Sequence, residues 1–289
     1  MAVLSVQSHV VYGYAGNTAA VFPLQRMGSE VWAINTVEFS NHTGYGAWRG
    51  KILETDLIYD LIEGLEERGA LGKCEAVLSG YLGDAASGKA VADAVKKVRS
   101  ANTGALYCCD PVMGDTGRGF YVKSGIPEMF INELVPLADI VCPNQFELEA
   151  LTGVTIDSME NAKKAVNILH EKGPSIVLVT SFEEKDGEIG MLASDQKNLY
   201  KITTPKLPLE NSIAGTGDMT TAVFLSHYLS KKNLIKTLEL CAGSVYSILE
   251  ESYRSSKPKT GALLELMIIE TQEQLISPKH SFKAEKVTL

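Results

Sequence analysis

The sequence has no uninterrupted run of the ~18 apolar residues that a membrane-spanning helix needs. Its opening, MAVLSVQSHV, lacks both the basic start and the long apolar stretch of an export signal. Cysteine is scarce: Cys74, Cys108, Cys109, Cys142 and Cys241 form no C-x-x-C pair and no regular framework. That excludes a disulfide scaffold and leaves buried, reduced thiols as the expectation. No His pair or Cys/His spacing supports a zinc site. Basic clusters are missing too; 27 Lys+Arg against 35 Asp+Glu give a formal charge of −8. No surface for nucleic acid is expected, and any phosphate must be held locally. There is no G-x-x-x-x-G-K-[ST] loop, and YGYAGN after the first apolar run does not spell G-x-G-x-x-G, so a P-loop enzyme and a dinucleotide-dependent redox enzyme both lose their signatures. These absences together point to a soluble, cytoplasmic protein with neither a membrane nor a nucleic acid as partner.

What is present is an apolar content of 45% over 289 residues, enough for a substantial core. Short β-rich runs, AVLSVQ, EVWAINTV, EAVLSG, ALYCCD, DIVCPN and SIVLVTS, alternate with segments of helical spacing. That rhythm predicts βαβ units. Several runs are continuously apolar, as strands of a parallel sheet covered on both faces are. The expected architecture is a three-layer α/β/α sandwich with a mainly parallel central sheet. With no repeat, low-complexity tract or linker in view, residues 1–289 read as one domain. Between about 186 and 205 the texture predicts a hairpin at the sheet edge. A helical stretch is expected from Gly215 to about 252, and TGALLELMIIETQEQL predicts a further helix before a polar tail.

In open parallel sheets ligands sit beyond the carboxyl ends of the strands. The residues following the apolar runs are Ser8 and His9, then EFSNHTGYG, then Gly80 and Tyr81, Asp110, Asn144 with Glu147, and Thr180 with Ser181. They are expected to line one rim.

The run SIAGTGDMTTAVFL, residues 212 to 225, places Gly215, Thr216, Gly217 and Asp218 before a helical pattern, although glycine costs about 1 kcal/mol inside a helix. Glycine suits a backbone that must approach an anion, and the unpaired N–H groups of a helix start can hold one. Asp218 would repel that anion, so either it only complements the helix dipole or it does chemistry beside the anion. In phosphoryl transfer the two roles combine: the amides neutralise charge on the transferred group and the carboxylate takes the proton from an alcohol.

Asp110, Asp115 and Glu147 are candidate direct or water-mediated partners of a nucleotide-bound magnesium ion, which takes one or two carboxylates and keeps several waters. Taken singly, Asp110 reads equally well as the start of an Asp-Pro turn and Glu147 as a first-turn helix carboxylate. The stretch FSNHTGYGAWRG, residues 39 to 50, mixes aromatic and polar side chains. Such a mixture suits a flat polar heterocycle, with Phe39 and Tyr45 on the ring faces and Ser8, His42 and Thr43 bonding its substituents. Equally, Asn41 and Gly44 read as turn formers with His42 exposed.

Taken together, SVQSHVVYGYAGNTAAVFPLQRMG, FSNHTGYG, LSGYLG, CDPVMGD, PNQFELE and GTGD resemble the vitamin B6 kinases of the ribokinase-like superfamily, and among them the pyridoxal kinases, over nearly the whole chain. GTGD alone marks only the superfamily, and DPVM is shared with hydroxymethylpyrimidine kinases. The resemblance implies ATP-dependent phosphorylation of the 5′-hydroxyl of pyridoxal, assisted by magnesium and a monovalent cation such as potassium, in a homodimer. It implies Asp218 as base and Gly215, Thr216 and Gly217 as anion hole. Ser8 and Thr43, with Gly44 beside it, would hold the substrate, and Tyr81 and Phe39 enclose it. Asp110, Cys142, Glu147 and Thr180 would line the nucleotide and metal side, with Asn144 and Asp115 nearby and Lys206, Leu207, Pro208 and Leu209 passing the nucleotide. Phe120 stands where some bacterial relatives carry a cysteine, and Thr180 where some carry lysine, so phosphate charge here leans on cations and backbone amides. Three alternatives stand beside this reading: a kinase for pyridoxine or hydroxymethylpyrimidine, a catalytically silent binder of pyridoxal phosphate, and a redox enzyme, which the missing glycine fingerprint opposes.

Overall fold

The computed structural model of the chain describes residues 1–183, 187–209, 213–255 and 264–288. The elements follow in the order β1 (Ala2–Tyr12), α1 (Asn17–Arg26), β2 (Glu30–Asn41), β3 (Gly50–Ile52), α2 (Thr55–Glu67), β4 (Cys74–Ser79), α3 (Ala85–Ala101) and β5 (Leu106–Cys109). A small two-stranded hairpin comes next, β6 (Gly114–Asp115) and β7 (Gly119–Phe120). Then α4 (Ile126–Met129) runs through a π-turn into α5 (Val135–Leu137), followed by β8 (Ile140–Val141), α6 (Gln145–Thr152) and α7 (Met159–Lys172). The chain continues through β9 (Ile176–Glu183), β10 (Glu188–Ser194), β11 (Leu199–Pro205), α8 (Thr216–Lys231), α9 (Leu234–Ser255) and β12 (Glu285–Lys286).

Ten strands form one sheet in the order β12-β11-β10-β9-β8-β5-β4-β1-β2-β3. The central six, β9 to β2, pair in parallel; the outer strands at both edges are antiparallel. The period of two in a strand sends alternate residues to opposite faces, and both faces are buried. Leu4, Val6, Val77, Tyr107, Val177 and Val179 join one core with α3, α6 and α7. Val3, Ala76, Leu78, Cys108, Ile176 and Leu178 join a second core with α1, α8 and α9. This is the three-layer sandwich expected, and the continuous apolar runs are its doubly covered strands. All five cysteines are buried and free. No helix among the described residues is long and apolar enough to cross a membrane.

β10 and β11 make the expected edge hairpin, turned at Asp195–Asn198, whose N–H groups and amide fold onto the Asp195 carboxylate. The helical stretch after Gly215 is two helices. Lys232, in the left-handed region at φ 48°, ends α8, and the Asn233 side chain accepts the Lys236 N–H to start α9.

The helix expected in TGALLELMIIETQEQL is not formed. Its first residues, up to 263, lie outside the described ones. From Leu264 the chain has no regular structure and buries every second residue, Leu266 and Ile268, against the α8–α9 core, and only Gln272–Leu275 makes a 3-10 turn. Its alternation therefore has the period of an extended segment, and the contiguous apolar letters hid it.

Candidate active site

β1 is the topological switch point. The chain leaves it for β2 on one side and returns to β4 on the other, so a crevice opens beyond the carboxyl ends of β1 and β4. There the strand ends differ from expectation. β1 shifts register between Gln7 and His9 and goes on pairing with β2 as far as Tyr12 and Asn41, whereas its pairing with β4 stops at Val6. Ser8 and Glu38–Asn41 therefore lie within strands, not after them. Ser8 still reaches the rim, because the neighbour on its other side has ended.

The turn after β1 connects the two halves of the site. At Gly16 φ is 57° and ψ −128°, a region that in practice only glycine occupies. A β-carbon there would overlap the carbonyl and hydroxyl oxygens of Ser8. The Gly16 N–H donates to Asp218 Oδ2 at 2.8 Å. Gly215, left-handed at φ 77°, caps α8 and has no room for a β-carbon against the Tyr14 carbonyl. Thr216 turns its hydroxyl onto the Ile213 carbonyl (2.9 Å). The N–H groups of Gly217 and Asp218 meet no acceptor among the described residues, as expected of a helix start that holds an anion. Burial raises the Asp218 carboxyl above the usual carboxylate range, opposed by the Gly16 hydrogen bond. A base poised nearer neutrality results.

On the substrate side, Phe39 is buried with Val10, Ala15 and Val37, and Tyr81 and Ile52 pack against them. The Trp48 ring lies over Phe39, centroids 4.1 Å apart. Thr43 and Gly44 sit in an exposed 3-10 turn, Thr43–Tyr45. His42 caps that turn: its Nδ1 accepts the Gly44 N–H at 3.1 Å, which leaves Nε2–H as the donor of a neutral ring. Burial and then the Arg118 charge lower its pKa, with Glu265 opposing. Asn41 does act as a turn former, bonding the His42 and Ala47 carbonyls.

On the opposite side, Asp110 follows β5 and accepts the Thr221 hydroxyl on Oδ2 at 2.8 Å. Its pKa is pushed up to about 8 by burial and then by the Asp218 charge, against the Thr221 bond. Asn144 and Glu147 form a capping box at the start of α6. Glu147 also accepts the Met113 N–H (2.9 Å), and Asn144 Nδ2 donates to the Gly114 carbonyl (2.9 Å). Burial and the Asp110 charge drive the Glu147 pKa well up despite these donors. Glu147 therefore fills the structural role, and the charge of Asp110 acts on it as well. Asp115 stands on β6, its carboxylate accepting the Thr116 N–H. Among the described residues no three acidic, His or Cys side chains gather into a metal-holding group. Cys142 is buried, its thiol 3.9 Å from that of Cys108, and its N–H pairs with Cys109. Thr180, nearly buried, donates its N–H to the Pro143 carbonyl and bridges to Asn144. Lys206–Leu209 follow β11 without regular structure, with Leu209 packed on the second core.

Gly16, Trp48, Thr221 and Tyr121 were not singled out from sequence. Gly16 was visible only as a failed fingerprint, and Thr221 only as one more residue of a helix. Burial and then the charges of Glu147, Asp218, Asp110 and Asp115 raise the Tyr121 phenol. Phe120, exposed, meets Phe146 edge-on. A cleft of about 870 Å³, lined by Tyr12, Tyr14, Phe22 and Glu270 among others, lies beside this rim and contains none of Asp218, Asp110 or Thr43. The open rim, where the acid groups and free amides converge, is the better site for chemistry.

Residues 72–262 match the family described as phosphomethylpyrimidine kinase. The pyridoxal kinase PdxY of Rubrobacter xylanophilus is 49% identical over 289 residues, spanning 99% of this chain and 97% of that protein. That of Granulibacter bethesdensis is 46% identical, spanning 99% of each. Among solved structures, pyridoxal kinase from Leishmania donovani in complex with ADP and pyridoxine is 30% identical, covers 99% of each chain and superposes with a TM-score of 0.93. The chain belongs to the pyridoxal kinase family.

Proposed function

We propose that this chain transfers the γ-phosphoryl group of ATP to the 5′-hydroxyl of pyridoxal, giving pyridoxal 5′-phosphate and ADP. The observation that carries the reading is Asp218: its carboxylate is fixed by the Gly16 N–H at a helix start where the Gly217 and Asp218 amides meet no acceptor among the described residues. In this mechanism Asp218 takes the hydroxyl proton as the new oxygen–phosphorus bond forms and the bond to the ADP oxygen breaks. The amides of Gly215 to Gly217 face the charge on the transferred group. Ser8, His42 and Thr43 hold the pyridine ring, Phe39 and Tyr81 wall it, and Cys142, Asn144, Thr180 and Lys206–Leu209 border the nucleotide.

Asp110 and Glu147, buried and repelling one another, fit a cation that carries nucleotide phosphates and waters. Asp115 is a further candidate partner of that cation, directly or through water. Magnesium held there would neutralise phosphate charge. A monovalent cation such as potassium, a cytoplasmic homodimer and one kinase domain over 1–289 complete the proposal; the continuous ten-stranded sheet supports the last. One competitor is kept, hydroxymethylpyrimidine as acceptor, because the matched family is described as a kinase of a related pyrimidine, phosphomethylpyrimidine.

The test is ATP turnover by the purified protein with magnesium, and with potassium or sodium, offered pyridoxal, pyridoxine, pyridoxamine and hydroxymethylpyrimidine separately, with products weighed by mass spectrometry. Preferred formation of pyridoxal 5′-phosphate is expected. Preference for hydroxymethylpyrimidine moves the substrate and keeps the mechanism; tight binding of pyridoxal phosphate without turnover overturns it.

A further inference from the structure

The segment that replaces the expected C-terminal helix delivers one carboxylate to the substrate side of the rim. Glu265 Oε2 accepts the Tyr14 N–H at 3.0 Å, and Oε1 accepts the Tyr45 hydroxyl at 2.5 Å. Gly13 leaves the space, for a β-carbon there would stand 2.5 Å from Oε1. On its C-terminal side Glu265 is followed by buried Leu266 and Ile268, and the Met267 N–H donates to Ser252 on α9. The carboxylate therefore projects from an anchored segment.

Its two bonds lead to different working parts. Tyr45 closes the exposed turn Thr43–Tyr45, which carries Thr43 and is held as well by its own backbone hydrogen bonds, the His42 cap and an edge contact of Tyr45 with Tyr12. Tyr14 belongs to the turn whose Gly16 N–H holds Asp218 and whose Tyr14 carbonyl abuts Gly215. We propose that Glu265 is a positioning residue that locks the substrate turn, 43–45, onto the turn, 13–16, that orients Asp218. The inference rests on the kinase reading above and deepens it by tying acceptor binding to the alignment of the base.

The experiment compares wild type, Tyr45→Phe, Glu265→Ala and the double variant in the full chain. Tyr45→Phe removes one bond to a charged group, so the KM for pyridoxal is expected to rise roughly tenfold, with the KM for ATP unmoved and kcat falling less than twofold. Glu265→Ala is expected to raise that KM equally and also to lower kcat. The double variant is expected to match Glu265→Ala within about twofold, since both changes break the same link. Additive effects, an unchanged KM for pyridoxal, or a parallel rise in the KM for ATP would overturn the proposal. Amide hydrogen exchange on the ligand-free protein reads the lock without any chemistry: residues 43–47 should exchange faster in both single variants, and equal exchange refutes it. Absence of turnover in the wild type would sink the kinase reading alone, because the exchange measurement still decides the role of Glu265.

Discussion

At Gly16 the backbone adopts a conformation that side chains rarely tolerate, with Ser8 filling the place of a β-carbon. Gly16→Ala is expected to lose about 1–3 kcal/mol of stability and to lower kcat, because relief of the overlap must move the N–H that holds Asp218. Denaturant unfolding with parallel turnover measures both; a stable variant with normal kcat would detach Gly16 from the site. Asp218→Asn retains shape and an acceptor for the Gly16 N–H but cannot take a proton. We expect kcat to fall at least ~10²-fold, the scale of a lost general base, at near-native stability. Near-normal turnover would remove Asp218 from the role. Asp218 was legible because a glycine-flanked carboxylate at a helix start is locally odd. The need for Gly16 was not, because its reason is a contact with Ser8 and Asp218, the latter 202 residues away.

Helix α8 carries two of these groups on one face: Asp218 and, one turn on, Thr221, whose hydroxyl holds Asp110. Thr221→Val keeps the shape and deletes that bond. The Asp110 carboxyl, no longer drawn down by it, should bind protons more readily, and the magnesium concentration for half-maximal turnover should rise several-fold at neutral pH while the KM for pyridoxal stays put. An unchanged magnesium dependence would show that Asp110 needs no such support. At this scale the six central strands and the edge hairpin were readable from apolar runs and turn residues, since these depend on local pattern. The extension of β1 and β2 past the rim was not, because it depends on where β4 stops. Nor was the irregular course of 264–271, where burial against α8 and α9 overrides the helical propensity of Leu, Glu and Met.

Across the whole molecule the sheet brings Asp110, Glu147 and Asp218 from three separate elements into one buried neighbourhood, and all three carboxyls are shifted upward. A carboxyl with a raised folded pKa binds more protons folded than unfolded, so its contribution to stability is full below its ordinary value near 4 and is lost as pH rises through the folded value. For Asp110 that loss runs up to about pH 8. Histidines act oppositely at lower pH: burial pushes His227 down to about 4 and lowers His42, so charging them favours the unfolded chain. Above about pH 7 both are largely neutral in either state, and the carboxyls set the slope together with the thiols of Cys74, Cys108, Cys109 and Cys241, which the fold also holds above their ordinary value. The melting temperature of the ligand-free protein should therefore fall between pH 7 and 8.5, and Asp110→Asn should flatten that fall. Magnesium with a nucleotide should stabilise the wild type more at pH 8.5 than at pH 7, since a cation replaces the lost protons. A wild-type slope unaltered in Asp110→Asn would mean that Asp110 is not held above its ordinary value in the folded protein, and the cation site proposed on Asp110 and Glu147 would fall with it.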